Sequence, residues 1–159
     1  MDEVKILEQL ECEFGWLCSW KIKLYESKEE CEHLIKLGKP YLERSRISDK
    51  RTGKGIENSL RTSSERTLRR GKDKIIKNIE QRIPDIISIP VENGEGLQVI
   101  HYGVGQKFVP HYDSRSNESF WNGGPRVATF LMYLSDVEEG GETVFPSAKP
   151  MKFSSNPYI

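Results

Sequence analysis

No stretch of this sequence is apolar for long enough to cross a bilayer. The start, Met1-Asp2-Glu3-Val4-Lys5, lacks the basic-then-apolar order of a signal peptide. Cysteine is scarce: Cys12, Cys18 and Cys31 form no C-x-x-C pair, which excludes both a disulfide framework and a zinc ribbon. Net charge is absent, because 24 basic side chains meet 24 acidic ones, and that excludes a uniformly basic nucleic-acid binder. What is present is ordinary for a globular chain: 36% hydrophobic and 30% charged residues, neither fibrous nor disordered in composition. A length of 159 residues fits one domain, or one domain with a short tail.

The zero charge conceals an asymmetry. From Arg44 to Lys77 there are 12 basic and 4 acidic residues, a net of +8, so the remainder carries −8. A solvated loop and an exposed helix face account for such a stretch, and so does a surface for an acidic partner. Aromatic residues are missing from it, so it offers no stacking platform for single-stranded nucleic acid. The acidic counterpart, Asp136–Glu142 with Gly140-Gly141 inside it, has the composition of a turn between strands.

Along the chain, residues 1–24 show no clean period and form a helical or irregular lead-in containing Phe14, Trp16 and Trp20. Ser27-Lys28-Glu29-Glu30 is a capping-box pattern that opens a helix, with Cys31, Leu34 and Ile35 on one face and Gly38 and Pro40 as the stop. Residues 45–71 suit a loop or a ragged strand pair. A second helix is predicted over about residues 72–83, with Ile75, Ile76, Ile79 and Ile83 inward and Pro84 ending it. Beyond Pro90 the pattern turns to strands, with candidates at Leu97–Gly103, Lys107–Asp113 and Val127–Ser135. Helices followed by short strands predict an α+β chain on an antiparallel sheet.

Two features carry chemistry. In Lys107–Asp113, His111 and Asp113 stand two residues apart, so a strand would project both from one face toward a common ion. An imidazole with a hard carboxylate, and no thiolate beside them, suits Fe(II) or another divalent first-row metal, although a solvent-facing pair has the same spelling. In Val127–Ser135, Ala128, Phe130, Met132 and Leu134 make one apolar face, while Thr129 and Tyr133 place two hydroxyls on the other. That suits a strand lining a barrel with a small polar ligand, or an ordinary core strand.

Several ordered blocks, Gly94–Tyr102, Gly105–Asp113 and Asn122–Pro146, with Ser27–Ile35, Arg61–Ser64 and Leu68–Ile76 before them, resemble the catalytic domain of prolyl 4-hydroxylases of the plant type. The resemblance runs from about residue 25 to about 155. It implies a double-stranded β-helix, or jelly roll, with supporting N-terminal helices. Residues 1–24 are then a lead-in, and 25–159 a partial Fe(II)/2-oxoglutarate dioxygenase domain, incomplete at its C-terminal end. The implied reaction is hydroxylation of peptidyl proline with O2 and 2-oxoglutarate, with ascorbate keeping Fe(II) reduced. Residue by residue, it casts His111 and Asp113 as iron ligands. Tyr102, Thr129 and Tyr133 line the 2-oxoglutarate pocket, and Arg61, Ser63, Glu95 and Arg126 grip an extended, proline-rich peptide. The family works in the endoplasmic reticulum; no nucleic acid is implied.

The resemblance also sets expectations of geometry. A two-residue turn at Val104-Gly105 would pair 102 with 107 and bring Tyr102 to the face of His111 and Asp113. A three-residue turn would bring His101 there instead, and the first register is the one expected. The departures are equally specific. The only histidines are His33, His101 and His111, so the third iron ligand that the family takes from a later strand has no counterpart here. Weak Fe(II) binding and little turnover are expected of residues 1–159 alone. Phe108 stands where many relatives carry tyrosine, and loop 114–121 contains the sequon Asn117-Glu118-Ser119. The competing readings are a non-catalytic relative that binds proline-rich peptide or a partner, and a basic module whose affinity for an acidic partner collapses with salt.

Overall fold

Why the first helix begins where it does is settled by its own end groups. In the computed structural model, which describes residues 6–9, 20–22, 27–49, 52, 54–113, 126 and 128–146, helix α1 spans Lys28–Gly38. The Ser27 hydroxyl accepts from the Glu30 amide at 3.2 Å, and the Glu30 carboxylate accepts from the Ser27 amide at 3.1 Å. Two of the amides that a helix start leaves unpaired are thereby satisfied. Arg82 donates to the same Glu30 carboxylate at 3.0 Å, tying the start of α1 to the second helix.

That helix, α2, spans Lys74–Ile87, and Asp73 caps it by accepting from the Ile76 amide at 2.9 Å. It does not end at Pro84, as the sequence suggested. Proline's fixed φ is itself helical, so the chain continues a further turn, and the Ser88 amide closes it on the Pro84 carbonyl at 2.8 Å. Ser88 adopts the left-handed conformation (φ 54°) that ends many helices.

Asp73 also accepts a hydrogen bond from Nε2 of His33 on α1, at 2.8 Å. The Ile76 amide, and after it His33, hold the Asp73 carboxyl below the ordinary aspartate range, against the opposing effect of burial. A lowered folded-state value stabilises the fold above the unfolded value, and that gain disappears as pH falls through the folded one. Asp73→Ala is therefore expected to cost about 1 kcal/mol near neutrality. The deficit relative to the unaltered chain should shrink below about pH 4, where the unfolded carboxyl protonates. Urea unfolding at a series of pH values reads both, and a deficit that grows toward acid contradicts the assignment.

Strands β3 (Glu43–Arg44), β6 (Ser64–Thr67) and β7 (Gln98–His101) form an antiparallel sheet in that spatial order. In the β6–β7 register, Ser64 faces His101 and Thr67 faces Gln98. Beside them β4 (Ile47–Ser48) and β5 (Gly55–Ile56) make a short hairpin, so the ragged strand pair expected over 45–71 resolves into two sheets. Helix α1 packs on α2, β6 and β7. Its last residue, Gly38, lies so close to β7 that a Cβ there would stand 2.7 Å from Val99 Cγ1. Among the described residues the buried apolar side chains are Leu34, Leu68, Ile76, Ile79 and Val99.

These elements belong to one compact unit, Glu26–Val109 with Leu134–Gly141. A second unit comprises Met1–Tyr25, Pro110–Tyr133 and Glu142–Ile159. In it the lead-in departs from expectation, because β1 (Ile6–Gln9) pairs antiparallel with β2 (Trp20–Ile22) through an irregular register.

The expected hairpin is corrected as well. Its turn forms at Val104-Gly105, with the Gln106 amide on the Gly103 carbonyl at 2.9 Å, but Lys107–Val109 pairs with Leu60–Thr62 rather than with β7. Of the two central residues only Gly105 has positive φ (75°), as in a type II turn. Two-residue hairpins need positive φ at the first central residue to match the strand twist, and this turn splays its flanks instead. Residues 98–101 consequently pair with β6 and 107–109 with 60–62, with 102–106 looped out between them. Ala128–Ser135, expected as a strand, is irregular chain among the described residues, since no neighbouring backbone forms a ladder with it. Val127 and the loop 114–121 with its sequon lie outside the described residues.

Candidate metal centre and peptide-contact residues

Pro110 has no amide hydrogen, so the pairing that ends at Val109 cannot continue in register through it. Immediately beyond, His111 and Asp113 point the same way, and His111 Nε2 lies 3.1 Å from Asp113 Oδ1. Tyr112, between them, is 81% exposed. Two donor atoms that each bind an ion at about 2.1 Å, at a right angle, are about 3.0 Å apart. The observed separation therefore fits adjacent positions on one divalent ion, and both side chains are about two-fifths exposed, so an ion can reach them.

The other carboxylate oxygen is also occupied. Thr129 Oγ1 donates to Asp113 Oδ2 at 2.6 Å, which fixes the carboxylate plane and leaves Oδ1 beside the imidazole. Tyr133 donates to Thr143 Oγ1 at 2.7 Å and is 44% exposed. Thus His111, Asp113 and Thr129, read from the sequence as iron ligands and a pocket residue, are joined in one small network. No group of three His, Cys, Asp or Glu side chains suited to a metal is assembled among the described residues.

The remaining sequence candidates stand differently. Arg61 is 9% exposed, paired with Glu65 and donating to the Arg46 carbonyl at 3.2 Å, with its guanidinium 4.8 Å from the Phe108 ring. Ser63 is fully buried and donates to Ser45 Oγ at 2.9 Å. Glu95 is exposed, Arg126 half-buried, and Tyr102 44% exposed.

The basic stretch is not one open surface. Arg44 donates to the Thr62 carbonyl, Arg66 lies over the Tyr41 ring, and Arg70 donates to the Glu92 carbonyl at 3.0 Å. Sequence reasoning missed Glu65, Ser45 and the buried Glu80, whose Oε2 accepts from the Gly71 amide at 2.9 Å. The spacing Arg61-x-x-x-Glu65 was a readable signal for the first; nothing local marked the others.

Residues 97–157 match the 2OG-Fe(II) oxygenase superfamily. The sequence is 60% identical over 133 residues to probable prolyl 4-hydroxylase 3 of Arabidopsis thaliana, covering 83% of this chain and 46% of that protein. It is 60% identical over 124 residues to probable prolyl 4-hydroxylase 10 of the same plant, covering 77% of this chain and 43% of that protein. Prolyl 4-hydroxylase 5 of that plant is 57% identical over 124 residues, with the same coverage of 77% and 43%. Over most of its length the chain is similar to these plant prolyl 4-hydroxylases. It spans a little under half the length of these relatives. The part matched to the oxygenase superfamily holds Tyr102, His111, Asp113, Arg126, Thr129 and Tyr133. No helix among the described residues is long and apolar enough to cross a membrane.

Proposed function

We propose that this protein hydroxylates peptidyl proline to 4-hydroxyproline with O2 and 2-oxoglutarate, at an Fe(II) site to which the chain contributes His111 and Asp113. The observation that carries the reading is the 3.1 Å approach of His111 Nε2 to Asp113 Oδ1, within a span matched to the oxygenase superfamily. When bound, Fe(II) supplies the redox chemistry that couples O2 to decarboxylation of 2-oxoglutarate, and ascorbate keeps the metal reduced. The chain's own part is to hold and orient. Thr129 anchors Asp113 through Oδ2, while Tyr133 and Tyr102 offer hydroxyls to the co-substrate.

The peptide would be an extended, polyproline-II-like segment, which loses little conformational freedom on binding. The family reading assigns its contacts to Arg61, Ser63, Glu95 and Arg126, of which Arg61 and Ser63 are buried. A jelly roll completed around this sheet, and work in the endoplasmic reticulum, follow from the same family reading.

The test is succinate formation from 2-oxoglutarate, with Fe(II), ascorbate and a proline-rich peptide. Little turnover is expected of residues 1–159 alone, and what there is should rise with peptide and be lost in His111→Ala. Turnover that survives His111→Ala overturns the assignment. Peptide binding that persists in that variant without metal would support the non-catalytic alternative.

A further inference from the structure

Arg61 has more fixed partners than a residue that grips a passing peptide needs. Its guanidinium forms an ion pair with Glu65, donates from Nη1 to the Arg46 carbonyl at 3.2 Å and lies 4.8 Å from the centre of the Phe108 ring. The two paired side chains are only 10% and 20% exposed. Arg46, Arg61, Glu65 and Phe108 all belong to the compact unit that holds the three-stranded sheet. Glu65 lies in the central strand of that sheet, opposite Glu43 on one side and Ile100 on the other. Arg61 Nε is buried and has no hydrogen-bond partner among the described residues. That leftover donor is what an acceptor from outside would take, and it is covered.

We propose that Glu65 is a specificity-determining residue for the peptide: its carboxylate occupies the Arg61 guanidinium and withholds it from the backbone carbonyls of a proline-rich segment. The proposal rests on the reading of Arg61 as a peptide contact. The competition between the two acceptors is unequal. Proline has no amide hydrogen, so a proline-rich backbone offers mainly neutral carbonyls. A carboxylate holds a guanidinium about twice as strongly as a neutral acceptor does. Taking Arg61 away would also leave the charge of Glu65 unpaired with most of its side chain out of water. A segment of neutral carbonyls therefore leaves the pair closed. Removing the carboxylate reverses the balance, because an unpaired buried guanidinium is unfavourable and the arginine stem is long enough to carry it to solvent. There it becomes a donor for the peptide.

The experiment reads the arginine and the peptide separately, on residues 1–159. Phenylglyoxal modification, mapped by peptide mass, reports how open Arg61 is, with the exposed Arg69 as internal reference. Anisotropy of fluorescently labelled polyproline reports binding. In the unaltered chain Arg61 should react more slowly than Arg69. In Glu65→Ala its modification should quicken roughly 10-fold, and polyproline affinity should rise roughly 10-fold, the worth of one hydrogen bond from a charged group. Glu65→Gln keeps the shape with a neutral acceptor, should fall between the two, and carries the test if the alanine variant does not fold. Adding Arg61→Ala to Glu65→Ala should abolish the gain in affinity.

An Arg61 that reacts as fast as Arg69 in the unaltered chain would show that Glu65 does not hold it, and would overturn the proposal. So would a fall in polyproline affinity in both Glu65 variants, which would make Glu65 a support for the gripping arginine rather than its competitor. If Arg61 opens to phenylglyoxal in Glu65→Ala and polyproline affinity does not rise, Arg61 is not a peptide contact and the proposal falls with that reading. Neither result touches the hydroxylase assignment, which stands or falls on His111→Ala.

Discussion

Replacing Asp113 by alanine should lower Mn(II) or Fe(II) affinity by roughly 100-fold or more, and should do so without unfolding the chain. The magnitude follows from what is lost. Removing an outer partner of a metal ligand costs about 10- to 100-fold. Asp113 is itself one of two donors, 3.1 Å from the other, so its removal leaves a lone imidazole. Folding should be little affected, because the side chain is about two-fifths exposed and sits outside the core of Leu34, Leu68, Ile76, Ile79 and Val99. Its hydrogen bond from Thr129 is replaceable by water.

A graded series sharpens the expectation. Asp113→Asn keeps the shape and the hydrogen bond from Thr129 but loses the charge, and should fall between the unaltered chain and the alanine variant. Thr129→Val keeps both donors but frees the carboxylate to rotate, and should weaken uptake by the smaller outer-partner factor. Isothermal titration with the metal alone reads all three. Equal affinities for the unaltered chain and Asp113→Ala would remove this pair from the metal site.

The parts of this arrangement that were legible in the sequence are those decided within a few residues. The capping box at Ser27 and Glu30 formed as spelled, because its partners lie three residues apart and need nothing else. The approach of His111 to Asp113 is likewise a two-residue matter. What was illegible depended on competition between distant groups. The turn at Val104-Gly105 was correctly placed, yet its type, rather than its length, decided whether the flanks could pair. Lys107–Val109 then went to Leu60–Thr62, a partner some 45 residues away in sequence. Pro84 has the letters of a helix stop, but its φ is helical and Ser88 offered an αL cap one turn later. Arg61 and Ser63 look like exposed polar residues in a basic loop. They are buried because Glu65, Phe108 and Ser45, from three different places in the chain, satisfy them. No period or motif in the sequence records such a match.

The second large effect is expected in the core of the same unit. Ile76 and Ile79 are fully buried, both at 0% exposure, on the face of α2 that opposes its exposed Lys74 and Lys77. Helix α1 meets this face, and its own Leu34 is 1% exposed. Because few side chains among the described residues are wholly buried, each carries a large share of the apolar burial there. Ile79→Ala should therefore cost about 2–5 kcal/mol, transfer and cavity terms together. Against a typical total of about 5–15 kcal/mol for a domain, that is enough to leave the chain near its threshold.

Ile79→Val removes one methyl group and should cost only about 0.5–1.5 kcal/mol. Lys77→Ala, two residues away on the exposed face, should stay within about 0.5 kcal/mol of the unaltered chain. Urea unfolding separates these by midpoint, with slopes unchanged if the unfolded ensemble is unaffected. If Ile79→Ala and Lys77→Ala moved the midpoint equally, α2 would not be packed as described. The backbone of β6, on which α1 rests and from which Leu60–Thr62 extends to hold Lys107, would then lack its support.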